Sequence, residues 1–358
     1  MSSFRATLRH GSCKLGQPPA IHVQIADEKA KMSTFNVFWS ESFPPKPTFT
    51  EIELGDLSGK VLIITGGYSG VGYQLAKLVY EKNAVVYIAG RRENEGLKAI
   101  KEIQASYPNS KGRLEFLSLD LADLAAIKES ANEFLTREKR LDILWNNAGI
   151  MGTPKDVKSK QGHDLILGTN CIGPFLFTRL LHPLLASTAK SSPACSVRVV
   201  WLGSLVIHLQ APKTGMDLDN LDYKKKDEDS ATRYAVSKAG NLFIGAEWAR
   251  RDAEAGVLHL TINPGNLKTP LQRNMGRLQR KLTNVILHDP IYGAYTELWA
   301  GLSPAIQRTD SGRYIIPWGR FGQIREDIAA SLKSELVGGS GKAAKFFEYC
   351  ESLTEEYF

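Results

Sequence analysis

Lys60-Val61-Leu62-Ile63-Ile64-Thr65-Gly66-Gly67-Tyr68-Ser69-Gly70-Val71-Gly72 is the stretch whose reading decides the fold. Four consecutive apolar residues, Val61–Ile64, read as a strand buried on both faces, which is the habit of parallel sheets. Glycines end the run, and a helical pattern follows from Gly70 to about Lys82. Glycine at a strand-to-helix junction lets the backbone turn tightly and approach a ligand closely. The helix beyond presents unpaired N–H groups and a partial positive charge, a place for an anion such as a pyrophosphate. A glycine cluster alone is also compatible with a simple turn; the junction favours the nucleotide reading. Gly66, Tyr68, Ser69, Gly70, Val71 and Gly72 are the candidate contacts.

Outward from this stretch, strand patterns recur. They are Ala84–Gly90, Arg113–Leu121, Leu141–Gly149, Val197–Ser204, Leu258–Gly265 and a seventh candidate, Arg313–Gly319. Helical patterns alternate with them; Leu121, Leu124, Ile127, Ala131 and Leu135 fall on one stripe. This alternation predicts an α/β fold, a Rossmann-like doubly wound parallel sheet in a single domain with an N-terminal extension. The expected bounds are 1–55 for the extension, partly disordered, 56–325 for the catalytic domain and 326–358 for a C-terminal helical segment.

The second strand ends in Ala89-Gly90-Arg91-Arg92, with no acid at its tip. Sites for NAD usually place an acid there for the ribose 2′-hydroxyl, whereas those for NADP often use arginine for the 2′-phosphate. Arg91 and Arg92 read as partners of that phosphate through charge-assisted hydrogen bonds, the alternative being two surface arginines that open a helix. The expected cofactor is NADP(H).

Tyr234 and Lys238 lie four apart and share a face if the segment is helical. A free tyrosine has a pKa of about 10, and a neighbouring ammonium is expected to lower it. By itself this spacing is a weak signal. Ser204 at the end of a predicted strand could hydrogen-bond a substrate oxygen, and Asn170 is a polar residue inside the helical pattern Gly168–Leu181, where asparagine is mildly unfavourable.

Taken together these motifs resemble the short-chain dehydrogenase/reductase superfamily over roughly residues 57–320. The glycine loop Thr65–Gly72, the N-N-A-G run Asn146–Gly149, and Pro264, Gly265 and Thr269 after the sixth strand match in order. A finer resemblance is to the retinol-dehydrogenase-like branch, especially fungal members that share a segment like Phe38–Glu51 and are often tied to secondary metabolism. The resemblance implies a catalytic tetrad of Asn170, Ser204, Tyr234 and Lys238. It implies further cofactor contacts from Asp120, Leu121, Asn147, Ala148, Gly149, Pro264, Gly265, Leu267 and Thr269, besides Tyr234 and Lys238. In the implied reaction Tyr234 exchanges the proton, Lys238 lowers its pKa and holds the nicotinamide ribose, Ser204 polarises the carbonyl, and Asn170 holds a water that links Lys238 to solvent. Two departures stand out: a 30-residue gap from Ser204 to Tyr234, read as a substrate-side insertion over 205–233, and the bulky Trp201-Leu202-Gly203 before the serine. Non-redox chemistry on the same fold, such as cyclisation or isomerisation, is the alternative. An extended-branch epimerase or dehydratase fits less well, because its glycine spacing differs and position 69 is Ser. A binding-only role has no feature in its favour.

Composition sets the remaining limits. The 358 residues are 43% apolar and 23% charged, ordinary globular usage, and no apolar run reaches the ~18–20 residues that span a bilayer. The net charge of +7 owes part of its value to Arg5, Arg9, Lys14, Lys29 and Lys31. Lys224, Lys225 and Lys226 are followed at once by Asp227, Glu228 and Asp229, a solvated loop rather than a nucleic-acid footprint. Cys13, Cys171, Cys195 and Cys350 form no C-x-x-C pair, and the seven histidines show no metal-ligand spacing. No metal is expected, and a cytoplasmic, reducing setting fits. Residues 1–31 read as a tail or an upstream start before Met32, with a mitochondrial presequence as a weaker alternative. Phe43–Leu54 is proline-rich and expected extended, with Trp39, Phe43 and Phe49 against the domain surface. A lid is expected over 270–287, where Leu271, Met275, Leu278, Leu282 and Ile286 form a stripe that could cap an apolar substrate, touch a partner or a membrane surface, or pack into the core. A homo-oligomer is compatible with the sequence.

Overall fold

The computed structural model describes residues 33–269 and 284–358. The tail 1–31 and most of the lid stripe, including Leu271, Met275, Leu278 and Leu282, lie outside the described residues. Strands β1 (Val61–Thr65), β2 (Val85–Gly90), β3 (Arg113–Ser118), β4 (Ile143–Asn146), β5 (Arg198–Leu202), β6 (Leu258–Ile262), β7 (Tyr314–Ile316) and β8 (Arg320–Phe321) form one sheet ordered β3-β2-β1-β4-β5-β6-β7-β8. Neighbours pair parallel through β7; β8 returns antiparallel on β7. The first six strands follow the doubly wound Rossmann order, with the reversal between β1 and β4 where such sheets bind ligands. Sequence reading finds β1–β7 and misses β8, whose two residues are too short to carry a period.

The helices are α1 (Thr34–Ser42), α2 (Gly70–Glu81), α3 (Glu93–Ser106), α4 (Leu124–Arg137), α5 (Gly173–Lys190), α6 (Val206–Leu209), α7 (Ser230–Arg251), α8 (Pro290–Leu302), α9 (Glu326–Leu332) and α10 (Lys342–Thr354). Leu62 and Ile64 of β1 join the core under α2 and α8, whereas Val61 and Ile63 join the core under α4, α5, α7 and α10. Helices on both faces explain why β1 has no polar alternation. On the second face Trp248 of α7 stacks against His182 and His259, with ring centroids 5.0 and 5.4 Å away. None of the described helices is long and apolar enough to cross a membrane.

The extension departs from expectation. Ser33 caps a real helix, accepting from Asn36 N at 3.2 Å. Phe49 and Leu54 are buried, while Trp39 and Phe43, expected against the domain surface, are 56% and 41% exposed and touch each other at a tilt, with ring centroids 4.6 Å apart. The inward face of α1 carries one apolar residue, Val37, and ends in two polar ones: Glu41 and Ser42 are buried. A reading that follows apolar residues inward picks the wrong side of such a helix.

The Lys224–Lys226 run is exposed, as a solvated loop should be. The rest of 205–233 is packed: Met216, Leu221 and Tyr223 are buried. Arg233 fastens it, lying 2.8 Å from Asp164 and 3.0 Å from Asp227, with its guanidinium 4.4 Å from the Tyr223 ring centroid.

Candidate active site

The glycine loop has the shape that a dinucleotide requires. Gly66 and Gly70 sit at φ of +69° and +57°, where side chains are disfavoured. A Cβ on Gly72 would come within 2.6 Å of Asn147 Nδ2 and 2.9 Å of Gly66 O, so α2 can start this close to β4 only with glycine there. Ser69 precedes α2 without a side-chain cap, leaving the first-turn N–H groups facing the loop. The N-N-A-G run braces this cradle: Asn147 Nδ2 donates to Thr65 O at 2.7 Å, Ala148 N donates to Thr65 Oγ1 at 2.9 Å, and Asn146 Nδ2 donates to Thr178 Oγ1 at 3.0 Å. These features fit a pyrophosphate.

At the tip of β2 the two arginines differ. Arg92 bonds Glu95 and stands 5.2 Å from the centroid of Tyr68, whose ring lies over Gly90. Arg91 is half exposed, its Nε 3.9 Å from Asp120 Oδ1. Asp120 itself accepts from Ala122 N at 3.0 Å, shaping the turn after β3. Leu121 is buried, its backbone against Gly173 at the start of α5.

The reactive end gathers over β4 and β5. Asp229 caps α7, accepting from Thr232 N at 2.7 Å. One turn in, the helix presents Tyr234 and Lys238, the ammonium 5.5 Å from the phenol ring centroid. Lys238 Nζ donates to Leu202 O at 2.9 Å, beside Asn241 Nδ2 on the same carbonyl at 2.8 Å. A Cβ on Gly149 would lie 3.3 Å from Asn170 Oδ1 and 3.6 Å from Lys238 Nζ, so these three residues converge. Ser204 lies two residues past β5, its hydroxyl accepting from Val206 N at 3.4 Å. Trp201, the bulky departure, points the other way and fills space under Gly245 of α7.

Two expectations need correction. Asn170 sits in a π-helical turn, Gly168–Ile172, that leads into α5, a device frequent at functional sites. Its side chain is already engaged: Oδ1 accepts from Ile150 N at 2.9 Å, and Nδ2 donates to Ile150 O and Ser237 Oγ at 3.1 and 3.0 Å. Its side chain thereby braces the loop after β4. Burial pushes the Tyr234 phenol above its ordinary value rather than below it. Burial also brings Lys238 down, to about 8. Desolvation is the leading cause of both shifts.

After β6, Asn263 Oδ1 accepts from Gly265 N at 3.0 Å, and Gly265 has φ of +99° with Trp318 where a Cβ would go. Pro264 O, Leu267 and Val71 all meet at Gly293 of α8, bringing this turn against the start of α2. Leu267 pairs with His288, closing the base of the segment that departs beyond Thr269. Asn263, Asn266, His288 and Arg320 escaped sequence reading; only the asparagines flanking Pro264-Gly265 gave a signal, as turn formers.

A family model described as short chain dehydrogenase matches residues 60–200. A short-chain dehydrogenase/reductase of Phomopsis amygdali is 47% identical over 324 residues, covering 89% of this chain and 96% of that protein. Another, from Neocamarosporium betae, is 43% identical over 323 residues, covering 89% and 93%. The chain therefore belongs to the short-chain dehydrogenase/reductase family: an oxidoreductase that takes a nicotinamide cofactor and a small-molecule substrate. Solved structures share the fold. An NADPH-bound carbonyl reductase from chicken fatty liver superposes with a TM-score of 0.56 at 20% identity, covering 75% of this chain and 99% of that one. A 3-ketoacyl-(acyl-carrier-protein) reductase from Brucella melitensis complexed with NADH gives 0.55 at 23%, covering 74% and 99%.

Proposed function

We propose that this protein is an NADP(H)-dependent reductase or dehydrogenase that interconverts a carbonyl and a primary or secondary alcohol. The carrying observation is the convergence of Tyr234, Lys238, Asn170 and Gly149 beside the ends of β4 and β5. The bound nicotinamide would supply or accept the hydride. Tyr234, held protonated through neutral pH by its burial, is suited to give its proton to a carbonyl oxygen as hydride reaches the carbon. Lys238 steadies the developing phenolate, and Ser204 orients the oxygen. Proton transfer by a positioned group contributes about 10²–10⁴-fold in rate.

Preference for NADP(H) rests on Arg91. The fold is shared by proteins carrying either cofactor, so the choice falls to the tip of β2. That tip holds two arginines and no acid. Asp120, 3.9 Å from Arg91, is too exposed and distant to satisfy its charge. Asp120, Leu121, Asn147, Ala148, Pro264, Gly265, Leu267 and Thr269 complete the proposed cofactor contacts. The substrate is proposed to be a small, apolar carbonyl compound, handled in the cytoplasm, and the fungal relatives are in keeping with a role in secondary metabolism.

The test is a panel of ketones and aldehydes with NADPH and NADH, run on the wild type and Tyr234→Phe. The variant keeps the ring packing and removes the proton. We expect at least a hundredfold loss of reduction with cofactor binding retained; activity within about tenfold of wild type would refute the role of Tyr234.

A further inference from the structure

The last turn of α1 is wired into the strand-end loops, residue by residue. Arg320 Nη2 donates to Ser40 O at 2.9 Å while its Nε donates to Pro317 O at 2.8 Å, joining the helix to the β7–β8 turn. Glu41 Oε2 accepts from Asn263 Nδ2 at 2.7 Å. Ser42 Oγ accepts from Asn266 Nδ2 at 3.0 Å, and His288 Nε2 meets the Ser42 carbonyl at 2.9 Å, so that nitrogen carries the proton. Three consecutive residues thus hold three different loops at one end of the sheet.

Glu41 is the unusual member. It is 3% exposed, and burial lifts its pKa to about 7. Its second oxygen lies 4.0 Å from His208 Nε2, a buried nitrogen without a hydrogen bond, and Tyr314 Oη is another nearby orphan. A helix that needed only to pack would place an apolar side chain here, since a buried carboxyl is costly unless its bonds matter. The bond it makes has a consequence: Asn263 uses its amide nitrogen on Glu41 and its amide oxygen on Gly265 N, so the carboxyl sets the orientation of the side chain that shapes the Pro264-Gly265 turn.

Strand order says which half of the cofactor this turn meets. Arg91 and Asp120 follow β2 and β3 on one side of β1; Lys238, Ser204 and Gly265 gather over β4, β5 and β6 on the other. The turn belongs with the reactive ring, not the adenine.

We propose that Glu41 is a positioning residue, acting through Asn263 to hold the Pro264-Gly265 turn against the nicotinamide half of the cofactor, so that α1 is part of the cofactor site. This rests on the NADP(H) reading above.

The experiment measures binding of NADPH and of adenosine 2′,5′-bisphosphate, which carries the adenine-side phosphate and no nicotinamide. Glu41→Ala should weaken NADPH about tenfold, the scale of one buried charge-assisted hydrogen bond, and leave the bisphosphate unchanged. Glu41→Gln keeps an acceptor oxygen and should restore NADPH binding. With Asn263→Ala in the background, Glu41→Ala should cost nothing more, because the two act in series. If Glu41→Ala does not fold, Asn263→Ala alone must show the same split between ligands. Equal losses for both ligands, an unchanged NADPH affinity, or no rescue by Gln would each overturn the inference while leaving the functional reading intact. A wild-type protein that binds neither ligand would remove both.

Discussion

The two halves of the cofactor groove are built in opposite ways. The adenine side comes mostly from one run of chain, Val61 to Leu121, in which each strand pairs with the next in sequence, with Asn147 and Ala148 reaching in from beyond β4 to brace the glycine loop. The reactive side is collected from residues 41, 170, 204, 234, 263 and 320, and its bonds cross as many as 280 positions. Largely local construction makes the first half readable. Long-range construction makes the second depend on elements that carry no motif of their own.

The largest effect expected from that contrast is on truncation. A chain that starts at Leu57 keeps every motif of the adenine side but loses Glu41, Ser42 and the buried Phe49 and Leu54. Those two apolar side chains alone are worth about 3–6 kcal/mol, so this chain should melt far lower or fail to fold, whereas one that starts at Met32 should keep its melting temperature and NADPH affinity. Thermal unfolding of both decides; a stable Leu57 chain would mean that the two halves are equally self-sufficient.

Next comes cofactor choice. Replacing both Arg91 and Arg92 by Ala should weaken NADPH about a hundredfold and NADH little. Arg91→Ala should account for most of this, because Arg92 is already held by Glu95 and Tyr68. Titrations with both cofactors check it, and equal losses for the two would take selectivity away from the β2 tip.

A smaller effect concerns pH. Glu41 titrates near 7 in the folded chain, above the usual carboxyl range. Between about pH 4.5 and 7 the folded state therefore holds a proton that the unfolded chain has released. Its contribution to stability is present at the acid end and is lost as pH rises through 7. His208, brought down to about 4 by burial, stays neutral in this window; Arg320 stays charged, and Tyr314, raised by its burial, stays protonated. Wild type should gain on the order of 1–2 kcal/mol relative to Glu41→Gln on going from pH 8 to pH 5. A constant gap in denaturation midpoint between the two proteins would place the carboxyl in solvent. The smallest effect should come from the insertion: Ala at Lys224, Lys225 and Lys226, all exposed, should change stability by no more than about 0.5 kcal/mol.

Sequence patterns carried the first seven strands, the glycine loop and the Tyr234/Lys238 pair, since each depends on residues at fixed short spacing. Buried almost throughout, β1, β2 and β4–β6 can be seen without alternation, whereas the edge strand β3 is only partly buried. The sequence could not reveal that Asn170 spends its side chain on Ile150 and Ser237, or that burial raises the Tyr234 phenol, because both depend on what surrounds a residue rather than on what precedes it. Helix α1 was missed for a related reason. Its aromatic residues face outward, and its buried face carries Glu41 and Ser42 with Val37 as its one apolar member, so the aromatic residues pointed the wrong way.

The wiring of α1 also sets an order of events while the chain is being made. Glu41 waits for Asn263, 222 residues later, and Ser40 for Arg320. At ~5–20 residues per second, a ribosome adds those 222 residues in about 10–45 s. Throughout that interval the α1 segment lacks the partners of Ser40, Glu41 and Ser42, while the adenine-side strands can already pair. The expectation is a nascent chain whose first folded part excludes its own N-terminus, testable by protease sensitivity near Trp39 in chains stalled before and after β8.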